Sequence, residues 1–147
     1  MTNTEPASRG FSAAEKAAMS ARSAELRAEG KAGGKKADGL QAVLESIEKM
    51  TPDDRALAER LHVTVTAHAP HLLPKTWYGM PAYSNADGKI VFAFKNAGKF
   101  NTRYSTLEFQ DAASLDEGEI WAVSFALGSW SPVVEKRVID LVTRAIA

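Results

Sequence analysis

The residues whose side chains are best suited to bind a ligand surround a glycine–proline bend in the second half of the chain. These candidate ligand-binding residues are Trp77, Tyr78, Met80, Tyr83, Lys95, Lys99, Arg103 and Tyr104. Apolar walls with a few polar tips are typical of small-molecule pockets. If Lys95 and Arg103 face the same way, as an alternating strand pattern permits, they can hold a carboxylate or a phosphate. The alternative is that the aromatic residues form core and the cations face water.

A run of acidic residues between residues 108 and 119 is a second candidate site. Carboxylates are hard oxygen ligands that suit iron, manganese, calcium or magnesium. Their spacing matches no calcium-binding loop. The candidate metal ligands are Asp111, Asp116, Glu117 and Glu119. The alternative is a solvated loop that protects a sheet edge.

Catalytic motifs are scarce. The three histidines, His62, His68 and His71, do not form a His-Glu-x-x-His pattern, and Pro70 separates the last two. Cysteine is absent, which excludes a disulfide, a thiol nucleophile and a cysteine-ligated zinc or iron–sulfur cluster. No Gly-x-Ser-x-Gly motif occurs.

Charge and hydropathy restrict the partners. Lys+Arg and Asp+Glu both number 18, so the formal net charge is zero, and we do not expect a nucleic-acid partner. No stretch approaches the roughly 20 apolar residues of a membrane span. The polar first ten residues lack the apolar run of a secretory signal. We therefore expect a soluble, cytoplasmic protein with no membrane partner.

The N-terminal part, residues 1–39, reads as a tail, a helix and a linker. Ser12 and Glu15 have the spacing of a capping box, and the helix should continue to residue 29 and end at Gly30. The glycines and lysines of residues 30–39 predict a flexible linker. Because the helix has few apolar side chains, it is also a candidate surface for a protein partner.

Residues 40–147 predict a single α+β domain. Helical periodicity begins at residue 40, Thr51-Pro52 and Ser131-Pro132 are helix-start signals, and Pro70 should end the middle helix. Strand patterns cover residues 76–78, 90–95, 100–104 and 120–127, with a bend at 79–81 and a hairpin at Asp87-Gly88. This order predicts an antiparallel sheet of about four or five strands packed against helices, with an extra N-terminal helix.

The segment from Thr76 to Tyr83 and the following Asp87-Gly88-Lys89-Ile90-Val91 resemble the DUF1801 family, also called YdhG-like. The resemblance covers about residues 40–147. It implies a small α+β domain, and because some members are described as frataxin-like iron chaperones, it also implies iron held by surface carboxylates. It supplies no fixed metal-ligand motif, so no ligand residue follows from it.

These patterns favour a non-enzymatic protein that binds a small ligand or a metal ion. The version implied by the family resemblance is a frataxin-like intracellular iron carrier, and no other cofactor is indicated. One alternative is an enzyme of unknown reaction that uses the small aromatic–cationic pocket. The other is a protein-interaction module that docks through the N-terminal helix.

Overall fold

The computed structural model of the protein describes residues 11–32 and 36–147. In these ranges the helices are α1 (Ala13–Ala32), α2 (Lys36–Glu48), α3 (Pro52–His68), α4 (Ala97–Phe100) and α5 (Pro132–Ala145). The strands are β1 (Leu73–Trp77), β2 (Met80–Ser84), β3 (Ile90–Lys95), β4 (Ser105–Phe109) and β5 (Ser124–Leu127). The predicted α+β class, with an N-terminal helix, is confirmed. Among these described residues, no helix combines the length and the apolar character needed to cross a membrane.

Three helices begin at the caps that the sequence predicts. At the start of α1, the Ser12 amide donates to Glu15 Oε1 at 2.8 Å and the Glu15 amide donates to Ser12 Oγ at 3.0 Å. The Thr51 side chain accepts from the Asp54 amide at the start of α3, and Ser131 caps α5 in the same way. These side chains satisfy amides that have no partner within the helix, which fixes where each helix starts.

The five strands form one antiparallel sheet in the order β1-β2-β3-β4-β5, so each strand pairs with the next along the chain. Trp77 pairs with Met80 at the end of the first hairpin, which leaves Tyr78 and Gly79 as a two-residue turn. This hairpin places the turn at one end of the edge strand β1.

The two faces of the sheet carry different side chains. Tyr83, Phe92 and Phe109 lie in register across β2, β3 and β4, and they share one apolar cluster with residues of α2, α3 and α5. Because successive side chains alternate between faces, the paired residues Ala82 and Ala93 lie on the opposite face. There they form a smaller cluster with Met80, around which Trp77, Ile90 and Phe100 pack.

The predicted linker at residues 30–39 is largely helical where the structure describes it. Helix α1 continues past Gly30 to Ala32, and α2 already begins at Lys36; residues 33–35 and the first ten residues of the predicted tail lie outside the described part. The predicted domain boundary at residue 40 therefore falls inside α2. Gly39 lies where α2 approaches β1, and a Cβ there would collide with the carbonyl oxygen of Pro74. This glycine permits close helix–strand packing.

Three strand predictions need correction. The turn occupies Tyr78–Gly79, and Met80 already belongs to β2. The predicted strand at residues 100–104 is wrong, because the one-turn helix α4 ends there with Asn101 at a left-handed φ of 58°, and β4 follows instead. The predicted strand at 120–127 is shortened to β5.

Candidate ligand-binding site

The turn between β1 and β2 has an unusual backbone. Tyr78 and Gly79 both have positive φ angles, of 54° and 78°, as a tight hairpin turn with matching twist requires. Glycine adopts this conformation freely, but a tyrosine pays a conformational cost of roughly 1–2 kcal/mol. Strained residues of this kind often mark functional positions. In such turns, successive backbone N–H groups form a concavity that attracts anions.

The N-terminal helix supplies an anion to this concavity. Glu25 of α1 accepts a hydrogen bond from the Tyr78 amide at one carboxylate oxygen and from the Gly79 amide at the other, each at 3.0 Å. Arg22 lies one helical turn earlier, 3.5 Å from the Glu25 carboxylate. Its guanidinium also lies 5.9 Å from the centre of the Tyr78 ring. Residues of α1 therefore contact both the backbone of the turn and the side chain of Tyr78.

Lys99 of α4 approaches the same turn from the domain side. Its ammonium donates to the carbonyl oxygen of Tyr78 at 3.1 Å. Burial lowers the pKa of Lys99, and the nearby Glu25 carboxylate opposes this shift. A Cβ on Gly79 would overlap the Lys99 ammonium and lie 3.3 Å from the Cβ of Ala21. Only glycine leaves room for the lysine and for α1 at this position.

Glu25, Gly79 and Lys99 lie in the wall of a cleft of about 730 Å³ between α1, α2 and α4, which we call the turn cleft. Its volume lies within the range of small-ligand sites. The four ionisable residues that line it are Glu25, Glu45, Lys49 and Lys99. Two carboxylates thus face two ammonium groups, so the charge of the wall is balanced.

A buried polar pair lies at the back of the turn cleft. Asp54 accepts from the Gly98 amide at 2.7 Å and from Asn96 Nδ2 at 3.4 Å. The carboxylate needs a donor, so it fixes the Asn96 amide with its nitrogen towards Asp54. The other atom of that amide, Asn96 Oδ1, is buried and has no hydrogen-bond partner among the described residues. Because buried polar atoms are nearly always paired, this oxygen is an acceptor that lacks its donor.

Five of the eight predicted ligand-binding residues lie around the turn, and they are Trp77, Tyr78, Met80, Lys95 and Lys99. Trp77 contacts Tyr78 edge to face, with ring centres 5.1 Å apart. Met80, which directly follows the turn, is buried in the smaller cluster, against which Trp77 also packs. Lys95 and Lys99 place their ammonium groups 5.3 and 5.4 Å from the centre of the Phe100 ring. The lysines and aromatic residues therefore meet at this end of the sheet, with Lys99 in the wall of the turn cleft.

The other three predicted ligand-binding residues lie elsewhere. Tyr83 is 2% exposed in the main core, where its hydroxyl lies 2.7 Å from Nδ1 of His62. Burial raises the pKa of Tyr83 and lowers that of His62. Arg103 lies over the ring of the neighbouring Tyr104, at 5.0 Å, in the exposed loop before β4, so the strand alternation that would align it with Lys95 is absent there.

The four predicted metal ligands are all exposed in the loop between β4 and β5, and they are Asp111, Asp116, Glu117 and Glu119. Within residues 11–32 and 36–147, no group of three or more histidine, cysteine, aspartate or glutamate residues is arranged to hold a metal ion. The structure therefore does not gather these acids into a metal centre.

A larger groove of about 880 Å³ lies between β5 and α5. It is lined mainly by apolar side chains such as Phe125, Leu127 and Val134. In contrast with the turn cleft, no buried polar atom without a partner is found among its described lining residues. The turn cleft is thus the better candidate for recognition of a polar ligand.

The sequence patterns missed Glu25, Asp54 and Asn96. Glu25 meets backbone amides that lie 53 and 54 residues away in the chain, and backbone amides leave no trace in a motif. Asp54 lies in the first turn of α3, where an acidic residue is common because it interacts with the helix dipole. The one available signal was the Arg22-x-x-Glu25 spacing, which marks a charged pair on a single helix face.

No family model matches the chain, and neither a curated protein nor a solved structure matches it. The resemblance to the DUF1801 family stays a prediction. What the turn cleft binds is therefore inferred from its own geometry and charges.

Proposed function

We propose that the protein is a non-enzymatic binding protein for a small polar molecule with an acidic group, held in the turn cleft. The observation that supports this best is a cleft of ligand size whose lining brings together Gly79, Lys99 and Asn96, the last with a buried side-chain oxygen that lacks a donor among the described residues. Ammonium and backbone N–H groups are the usual partners of carboxylates and phosphates.

The ligand also carries a hydrogen-bond donor. Asn96 lines the turn cleft, and its buried Oδ1 lacks a donor among the described residues. A hydroxyl or amino group on the ligand would satisfy this oxygen, which removes the free-energy penalty of an unpaired buried acceptor. A small hydroxy acid or amino acid carries both the acidic group and the hydrogen-bond donor.

Binding fits the wall of the turn cleft better than catalysis does. Glu25 and Lys99 both hold the backbone of the turn, so their hydrogen bonds position the cleft. His62 would be a natural general base, but it pairs with the core residue Tyr83. The side chains at the cleft therefore recognise charge and hydrogen-bonding pattern.

A thermal-shift titration tests this proposal. The probes are glycolate, lactate, glycine and inorganic phosphate at constant ionic strength. A ligand at about 100 times its Kd stabilises the folded state by about 2.7 kcal/mol, which raises the Tm of a domain of this size by roughly 5–11 °C. We expect at least one of these probes to give such a rise.

The matched variants are Lys99→Met and Lys89→Met. Both remove one positive charge, but Lys89 lies in the exposed β2–β3 hairpin loop. We expect the ligand-induced rise in Tm to persist in Lys89→Met and to disappear in Lys99→Met. If no probe raises the Tm, or if the two variants respond alike, the proposal is wrong.

A further inference from the structure

The contact between Glu25 and the turn has the form of ligand recognition. One planar carboxylate receives two adjacent amide N–H groups, one on each oxygen, at equal distances of 3.0 Å. The Lys99 ammonium, bonded to the Tyr78 carbonyl, adds positive charge beside it. We call the Tyr78 and Gly79 amides together with Lys99 the carboxylate seat.

The described side chains of α1 bury little apolar surface. Among its described side chains, Ala18 is the one apolar group in the buried class, at 5% exposed. The larger apolar side chains point outward, with Met19 37% exposed and Leu26 52% exposed. Residues 13–27 of α1, whose side chains the structure describes, thus gain little from apolar packing. Polar contacts therefore hold this part of α1 at the turn, chiefly Glu25 in the carboxylate seat together with Arg22 over the Tyr78 ring.

We infer that Glu25 is an internal occupant of a carboxylate-binding site, and that the acidic group of the ligand is a carboxylate that replaces it when α1 moves away. This inference rests on the proposed function of the turn cleft and names the ligand class more narrowly. Two adjacent amides match the two coplanar oxygens of a carboxylate. A tetrahedral phosphate places its remaining oxygens outside the plane of these two amides, so its shape matches the pair of donors less well.

The test removes the Glu25 carboxylate from the full-length protein. Acetate is titrated into the wild type and into the Glu25→Ala variant, and the ¹⁵N–¹H resonances of Tyr78 and Gly79 are followed. An internal competitor reduces apparent affinity in proportion to the time that it occupies the site. We therefore expect acetate to bind Glu25→Ala roughly tenfold more tightly than the wild type, with the largest shifts at these two amides and no such response to inorganic phosphate.

The control is Glu59→Ala, which removes an exposed carboxylate from α3 and should bind acetate as the wild type does. Glu25→Gln keeps the size of the side chain with a single acceptor oxygen, and it should give an intermediate affinity. Both the Tyr78 and the Gly79 amide must respond in Glu25→Ala. Equal acetate affinity in Glu25→Ala and the wild type, or shifts confined to other residues, would overturn the inference.

The two proposals fail in different ways. If hydroxy acids or amino acids stabilise the wild type through Lys99, but Glu25→Ala gains no affinity for acetate, then the turn cleft binds ligands through Lys99 and the two turn amides are not part of the binding site. If Glu25→Ala binds acetate at the two amides, but no probe stabilises the wild type, then the seat recognises carboxylates and the proposed function is wrong.

Discussion

Replacement of Gly79 by alanine tests how closely the turn, Lys99 and α1 are coupled. Gly79 has a φ of 78°, which an L-residue rarely adopts. An added Cβ would also overlap the Lys99 ammonium and crowd Ala21. Gly88 offers a matched control, because its φ is 82° and a Cβ there would meet nothing within 4 Å. Both variants carry the same backbone strain, but only Gly79→Ala disturbs the wall of the turn cleft.

The difference between the two variants can be worked out from these contacts. A left-handed alanine costs roughly 1–2 kcal/mol at either position. Gly79→Ala also displaces Lys99 from the Tyr78 carbonyl, which costs about 0.5–1.5 kcal/mol. Crowding at Ala21 should weaken the two Glu25 hydrogen bonds by a similar amount. We therefore expect Gly79→Ala to lose about 3 kcal/mol and Gly88→Ala about 1.5 kcal/mol.

The measurement is urea denaturation of both variants and of the wild type, with Tm values from calorimetry as a second readout. At about 3 °C per kcal/mol for a chain of this length, the Tm should fall by roughly 9 °C for Gly79→Ala and roughly 4–5 °C for Gly88→Ala. If the two variants have equal free energies of unfolding, then the contacts of Lys99 and α1 with the turn contribute nothing to stability.

Two further predictions concern buried polar groups. Burial lowers the pKa of His62 from 6.5, so the unfolded chain binds the proton first as the pH falls. The stability associated with His62 should therefore be complete above about pH 6.5 and decline below it. Urea denaturation between about pH 7.5 and 5.5 should show this decline, and His62→Gln should reduce it. Asp54→Ala should cost about 2–3 kcal/mol because the Gly98 amide and Asn96 Nδ2 lose their acceptor. Asp54→Asn keeps an acceptor oxygen and should cost about 1 kcal/mol; equal costs in urea denaturation would contradict this role of the carboxylate.

Helix starts were predictable because their causes are local. Thr51 and Ser131 each precede a proline that is already fixed at a helical φ, and each side chain accepts from an amide three residues later. The whole signal thus lies within four residues. The end of α1 had no comparable determinant. Gly30 costs only about 1 kcal/mol inside a helix, and α1 continues through it to Ala32.

The fourth strand was misplaced because alternation alone does not fix a starting point. Residues 100–104 alternate in the sequence, but Ser105, Leu107 and Phe109 are the side chains that the fold buries on β4. The decisive contact is made by Ser105, whose hydroxyl accepts from the amide of Ala97 at 2.9 Å. That bond joins the start of α4 to the start of β4 across eight residues, and it is not visible as a periodic pattern.

The same limit of alternation patterns explains why Tyr83 lies in the main core and not beside the turn. A bend at residues 79–81 would leave Tyr83 close to Trp77 and Tyr78. Because the chain instead turns within two residues and Met80 already pairs with Trp77, Tyr83 falls on the helix-covered face, where its ring stacks on Phe92 with centres 5.0 Å apart. A difference of one residue in register moves a side chain to the other face of a sheet.

The carboxylate seat shows why the amino-acid composition of α1 did not predict its contact with the rest of the domain. A helix with few buried apolar side chains should associate weakly with the domain, and by that measure α1 would be an appendage. Yet Glu25 binds two backbone amides that a hairpin turn leaves without partners, and Lys99 adds charge from the domain side. The two amide donors belong to the backbone, and their direction depends on the positive φ angles of the turn. Binding of the Glu25 carboxylate at this position is thus a property of the turn conformation, which the fold sets through the short β1–β2 hairpin.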